Sequence, residues 1–472
     1  MADVKQKLVD LFGGAVRLTA GGMHLEDPSQ LQSEAMDRLV RLAVFGGEEE
    51  REAARGVIWD LGQAAGVRPA SIAAIYFARA RGECGGFTVP AINVRVMAYD
   101  TARAVFRAAR ARKAGAIILE IARSEIAYTD QRPGEYASVV LAAAMREGYL
   151  LPVFIQGDHC QVNQKKYAAD PGGEVGEVKK LIAEELSSGF YNIDVDTSTL
   201  VDLSKPTLDE QQRLNYQHAA EITAFIREHE PEGVSTSVGA EIGEVGHKNS
   251  TVEELHAFMQ GYNRTLESLG DQLEGISKIS VQTGTSHGGM VLPDGSIAEV
   301  KLDLDALEAL SRVAREDYGL GGAVQHGAST LPEDAFGNFP RVEAVEIHLA
   351  TNFQSLVFDH PKLPADLSRR IREWLDANTA SERKEGDSDE QFYYKTRKKA
   401  IGPFKEEMWS LPEKTRAAIA ADLERTFGFL FEQLNVGGTA GLVNRFIHAP
   451  VQPYASLKPA MAVAVDDADA GE

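Results

Sequence analysis

The chain has 472 residues, 44% hydrophobic and 25% charged, the composition of a globular protein able to bury a full core. Its 49 lysines and arginines stand against 70 aspartates and glutamates. The formal net charge of -21 repels nucleic acid and anionic membrane and excludes both as expected partners.

Residues 1–85 are rich in Ala, Leu, Glu and Arg at helical spacing, as at Leu39, Leu42 and Ala43. They are expected to form a helical extension that covers apolar surface or builds subunit contacts. Two cysteines, Cys84 and Cys160, make no disulfide framework. The N-terminus lacks a signal-peptide pattern and no apolar run has bilayer length, so the expected location is the cytoplasm.

From residue 86 the texture changes to short apolar runs separated by helical segments. The runs are Phe87–Val94, Ala116–Ile121, Pro152–His159, Asn192–Asp196, Val234–Gly243, Ile279–Gly284, Gly322–Gly327 and Val345–Ala350. Eight strand candidates alternating with helices predict an α/β fold, a TIM (β/α)8 barrel over residues 86–375. A doubly wound open sheet is disfavoured because no G-x-G-x-x-G follows the first run. Residues 376–457 are expected to form a helical subunit contact with a polar loop near its start. Residues 458–472, rich in Ala and Asp, are expected to be disordered.

In a barrel, chemistry gathers at the C-terminal ends of the strands. Asp158 and His159 close the third run, Asp194 and Asp196 lie at the fourth, and Glu241 nears the end of the fifth. His287 follows the sixth and His326 ends the seventh. The three histidines on one rim would make an open zinc site with a position left for substrate. By spacing alone, rim histidines hydrogen-bonded to loops account for the pattern equally well. Gly288 and Gly289 follow His287, while Gly327 and Ser329 follow His326. These suit an anion beside a metal, and tight turns needing positive φ are their other source.

The motifs resemble those of the class II, zinc-dependent fructose-bisphosphate aldolases. FTVPAINV is similar to that family's first strand, GDHC to its Asp-His metal strand and GAEIG to its glutamate strand. SHGG and QHGAS resemble its two later histidine strands, HLATN its phosphate strand, and YYKTR a more distal segment of its longer members. The resemblance implies His159, His287 and His326 as zinc ligands, with Glu241 and Asp194 near a site for a second metal. It implies Asp158 as general acid–base, and Asn93, Gly288, Gly327, Ser329 and Thr351 around substrate and its phosphate, with a monovalent cation. Arg397 would reach a far phosphate, although an ordinary solvated base fits its Lys-rich turn equally well. The implied activity is a homo-oligomeric aldolase that cleaves or forms a ketose bisphosphate through a zinc-stabilised enediolate, giving dihydroxyacetone phosphate and an aldehyde. A non-catalytic barrel subunit and a metal-dependent sugar-phosphate epimerase or isomerase are the alternatives.

The departures fall on substrate groups. The segment GEVGHKNST lacks the family's loop acid, for which Glu244 or His247 would have to substitute. Glu346-Ile347-His348 stands in place of a Lys-x-Asn, and Ala122, with Ser124 nearby, in place of a serine. The segment after His159 is long and carries Lys165 and Lys166, as a solvated insertion or a lid would.

Overall fold

The structure, a computed structural model, describes residues 2–19, 22–243, 248–284, 292 and 302–455. Two strands, β1 (Val16–Thr19) and β2 (Gly22–Leu25), form a small antiparallel hairpin. Eight more close into a parallel barrel: β3 (Val89–Asn93), β4 (Ile118–Ala122), β5 (Phe154–Gln161), β6 (Asn192–Asp196), β7 (Ser237–Glu241), β8 (Lys278–Val281), β9 (Ala323–Gln325) and β10 (Glu346–Leu349). β10 pairs with β3, so chain order is spatial order all the way round. This is the expected TIM barrel.

The strands form where the sequence offers short β-branched and apolar runs, because such runs bury both faces of a parallel sheet. Ile92, Leu119, Ile121, Ile193, Ile279 and Ile347 are all buried. The other face is unusual. A barrel interior is ordinarily filled by branched apolar side chains, yet here Glu120, Gln156, Asp194, Lys278, Glu346 and His348 are buried and bonded to one another across the axis.

The N-terminal extension contains the helices Ala2–Val9, Glu34–Phe45, Glu48–Ala65 and Ala73–Ala80, but it is not wholly helical. The β1–β2 hairpin is a correction to the sequence reading. Its register pairs Thr19 with Gly22, whose φ of 109° is one that L side chains rarely adopt. The last of these helices seals the N-terminal mouth of the barrel. Ile72 N donates to Asn192 Oδ1 at 2.9 Å, Arg79 donates to the Phe87 carbonyl, and Tyr76 Oη donates to Glu346.

The C-terminal segment also belongs to the wall. The helix Glu413–Gln433 is tied to the helix after β3 (Ala98–Arg112) by Arg107–Glu424 and Arg112–Glu432 pairs, each at 2.7 Å. Phe427 meets Phe353, from the helix after β10, with ring centroids 4.7 Å apart. The helix therefore covers the seam where β10 meets β3. Just beyond it, Thr439 Oγ accepts from the backbone N–H groups of Gly115 and Ala116 at 2.9 and 3.0 Å. A segment expected to serve as a subunit contact thus completes the protomer's own barrel. The 458–472 tail lies outside the described residues.

Candidate active site

The site begins with an irregularity in β5. Against β4 this strand pairs regularly up to Ala122 opposite Asp158. Against β6, Gly157 faces Ile193 and Cys160 faces Val195, so β5 carries one extra residue. Such a bulge leaves a residue unpaired and re-aims side chains. His159 takes the strain with φ at 39°, a left-handed value that costs a non-glycine residue on the order of 1–3 kcal/mol. Asp158 and His159, which a regular strand would send to opposite faces, both reach the interior.

His159 Nδ1 lies 3.2 Å from Asp196 Oδ2 and 3.8 Å from Glu241 Oε2. Asp196 also accepts from Ser198 N at 3.0 Å, Ser198 Oγ at 2.6 Å and Gln161 Nε2. Burial pushes the Asp196 carboxyl up, but the bonds from His159, Ser198 and Gln161 outweigh it and hold the group at about 2. A carboxylate fixed on Nδ1 sets the ring's orientation and leaves Nε2 as the ligand atom. Burial also opposes charge on His159, and Asp158, Asp196 and Glu241 more than offset that, raising it well above the ordinary histidine range. The His326 ring lies 4.4 Å from that of His159, with Nε2 3.0 Å from Ser280 Oγ. One ligand atom from each of His159, Glu241 and His326 lies within 4.8 Å of the others. Two imidazoles and a carboxylate in an acidic surrounding suit zinc or a similar divalent ion.

Below this set lies the buried polar interior. His348 Nδ1 is 3.2 Å from both Asp158 Oδ1 and Glu120 Oε2, and its Nε2 is 2.8 Å from Glu346 Oε1 and 3.6 Å from Asp194 Oδ2. Lys278 Nζ reaches Asp194 Oδ1 at 2.9 Å, Gln156 Oε1 at 2.8 Å and also Glu346. Burial opposes charge on His348, but Glu120 and Asp158 raise it well above its usual range. Glu120 is driven up to about 8 by burial and by Asp158. Burial also raises Asp194, against the pull of Lys278, whereas Lys278 and His348 outweigh burial at Glu346 and lower it. Four carboxyl groups, Glu120, Asp158, Asp194 and Glu346, thus surround Lys278 and His348.

Asp158, His159, Glu241 and His326 are brought together. Asp194 stands apart from the His159 set: it groups with Glu346 and His348 around the position taken by the Lys278 ammonium. Lys278 Nζ lies 2.9 Å from Asp194 Oδ1. Asn93 lies on the inner face of β3 opposite Glu120 and accepts from Arg95 Nε at 3.1 Å. Gly327 has φ 66°, Ser329 Oγ accepts from Ala350 N at 2.6 Å, and Thr351 opens the helix Thr351–Phe358, so these three gather at the adjoining ends of β9 and β10. Arg397 sits by the far end of that helix, bound to Asp359 at 2.6 Å and Ser355 at 2.8 Å. His287, Gly288, Glu244 and His247 lie outside the described residues. The insertion after His159 forms a helix, Gln164–Ala169, moored by Tyr167 Oη to His218 Nε2 at 2.8 Å.

Glu120, Lys278 and Tyr76 are absent from the sequence reading. The available signal for Glu120 is a lone charge inside the apolar run AIILEI. Lys278 and Tyr76 carry no comparable mark, because their partners come from other strands and from outside the barrel.

A closed (β/α)8 barrel with imidazoles and carboxylates converging at its C-terminal rim is an arrangement that could hold a metal ion. The sequence model described as Fructose-bisphosphate aldolase class-II matches residues 77–409, and the chain belongs to that family. Among solved structures, the chain is similar to native fructuronate-tagaturonate epimerase UxaE from Cohnella laeviribosi, at TM-score 0.57 and 13% identity over 81% of this chain and 86% of that one. It is also similar to a probable tagatose 6 phosphate kinase from Sinorhizobium meliloti 1021, at TM-score 0.52 and 16% identity over 78% of this chain and 96% of that one. A putative fructose-1,6-biphosphate aldolase from Coccidioides immitis matches at TM-score 0.45 and 19% identity, again over 78% and 96%. At these identities the likeness is one of fold. Comparison with curated proteins finds no match. No described helix is long and apolar enough to cross a membrane.

Proposed function

We propose that the protein is a metal-dependent aldehyde-lyase that cleaves or forms the carbon–carbon bond of a ketose bisphosphate, with dihydroxyacetone phosphate as one product. The observation that carries this reading is the convergence of His159, Glu241 and His326 within 4.8 Å, next to Asp158 on the same bulged strand. His287 is proposed as a further ligand, and Gly288, Gly327, Ser329 and Thr351 as the phosphate cradle. A divalent ion bound there would supply Lewis-acid polarisation of the substrate carbonyl.

The chain's own groups do the rest. In the cleavage direction Asp158 takes the proton from the hydroxyl on the aldehyde half as the C3–C4 bond breaks, and it returns that proton in synthesis. His348, 3.2 Å away and raised, against its burial, well above the usual histidine range by Glu120 and Asp158, holds Asp158 in position for that task. Asn93, which pairs with Glu120 on the inner face of the barrel, is proposed as a substrate contact.

A second reading follows from Arg397. Its guanidinium is engaged within this chain by Asp359 at 2.6 Å and Ser355 at 2.8 Å. A keto-sugar or keto-acid without the second phosphate, epimerised rather than cleaved, would make no demand on that arginine, and an epimerase is among the proteins of this fold. Product analysis decides between them. Metal-loaded protein given dihydroxyacetone phosphate and a panel of aldehydes should form a longer ketose, and should cleave the ketose in reverse. A product of unchanged carbon number would favour epimerisation, and no turnover in metal-loaded protein would overturn both.

A further inference from the structure

The extension that seals the lower mouth of the barrel reaches its charged interior. Tyr76 is wholly buried, and its hydroxyl donates to Glu346 Oε2. The other oxygen of Glu346 accepts from Lys278 Nζ and from Gln156 Nε2 at 3.0 Å, and it faces His348 Nε2 at 2.8 Å. The opposite nitrogen of His348 faces Asp158. One continuous line of contacts, Tyr76–Glu346–His348–Asp158, therefore runs up the barrel axis from the extension to the rim.

We propose that Tyr76 is a positioning residue for Asp158, acting through Glu346 and His348, so that the N-terminal extension completes the catalytic machinery. This rests on the reading of Asp158 as the proton carrier. Two further observations support it. A Cβ on Gly321 would come within 2.8 Å of Tyr76 Cβ, so the chain at the foot of β9 is shaped to admit this residue. A mere plug would need only a phenyl ring, since burying a hydroxyl is unfavourable unless it finds a partner. Here the partner is a carboxylate that is itself bonded on every side. Burial and Glu346 raise the Tyr76 phenol well above its ordinary range, so it remains a donor throughout the working pH range. Losing that donor frees Glu346 to turn within the network, and His348, bound to it, carries the change to Asp158.

The test is Tyr76→Phe, which keeps the ring and deletes the donor, with Gly321→Ala as a second variant that displaces the ring if the first does not fold. In steady-state turnover by the metal-loaded full chain, kcat should fall about ten-fold while KM stays within about two-fold. Co2+ affinity should be unchanged. Independently of turnover, NMR of protein labelled in its histidine rings should show the His348 signals, identified by their loss in His348→Asn, moving in Tyr76→Phe and in Glu346→Gln. Unchanged kcat with unmoved His348 signals overturns the proposal, and so does a kcat loss matched by an equal loss of Co2+ affinity. If the wild type turns over no substrate but the His348 signals still move, the reaction assignment fails while the Tyr76–His348 link stands.

Discussion

Neighbouring residues on a strand point to opposite faces, yet Asp158 and His159 both serve the barrel interior. The extra residue between Gly157 and Cys160 allows this at the cost of φ 39° at His159. Their tasks separate by partner: Asp196 orients His159 from one side, and His348 faces Asp158 from the other. Asp158→Asn should therefore retain the bound metal and lose kcat by about 10²–10⁴-fold, the span of general acid–base catalysis, read by kinetics alongside metal analysis. His159→Ala should lose most of the bound metal, because it removes one of the donors that converge with Glu241 and His326. Equal metal content in His159→Ala and the wild type would contradict that assignment.

At the scale of elements, the bulged strand is braced from behind by the helix Pro171–Ser187. Its Glu185 is fully buried, with Oε2 3.2 Å from Cys160 Sγ, and a Cβ on Gly157 would fall 2.5 Å from the same oxygen. Gly157→Ala should thus destabilise the protein by about 1–3 kcal/mol, and less in a Glu185→Ala background. Denaturant titration of the double-mutant cycle measures this coupling. Burial drives the Glu185 carboxyl from 4.5 up to about 8. The folded state therefore holds a proton that the unfolded chain releases between those values, and this stabilisation falls as pH rises from about 4.5 to about 8. One such group contributes a slope of at most about 1.4 kcal/mol per pH unit. Glu185→Gln should remove that slope, and parallel stability profiles for variant and wild type would contradict the account. The barrel strands were legible in the sequence because apolar runs such as AIILEI bury both faces. The bulge was not, because nothing in GDHC states that His159 takes a left-handed φ. The hairpin at β1 and β2 was hidden because its four-residue strands are too short to declare a period.

The whole molecule is a barrel closed by its own ends. The extension seals the N-terminal mouth through Tyr76, Arg79 and Ile72, and the helix Glu413–Gln433 covers the seam between β10 and β3. The Tyr76–Glu346 and Arg107–Glu424 contacts join residues 270 and 317 positions apart, which is why residues 1–85 and 376–457 read as appendages in sequence and as walls in the fold. Thr439→Val should cost about 1–3 kcal/mol, since the buried N–H groups of Gly115 and Ala116 lose their shared acceptor. Thermal or denaturant unfolding reads that loss directly. The rim donors His159, Glu241 and His326 could be picked out in the sequence because each falls within two residues of a strand end, where a barrel collects its chemistry. The charged layer beneath them was not, since Glu120, Lys278, Glu346 and His348 come from three well-separated stretches of chain and meet only on the axis. The central claim is that this rim makes a metal-dependent catalyst of carbon–carbon bond formation. Its most direct test is the rate of ketose formation from dihydroxyacetone phosphate and an aldehyde, followed through chelation and zinc restoration with metal content measured on the same sample. The account predicts activity that disappears with the metal and returns with it. Undiminished activity in metal-free protein, or none in metal-loaded protein, would contradict it.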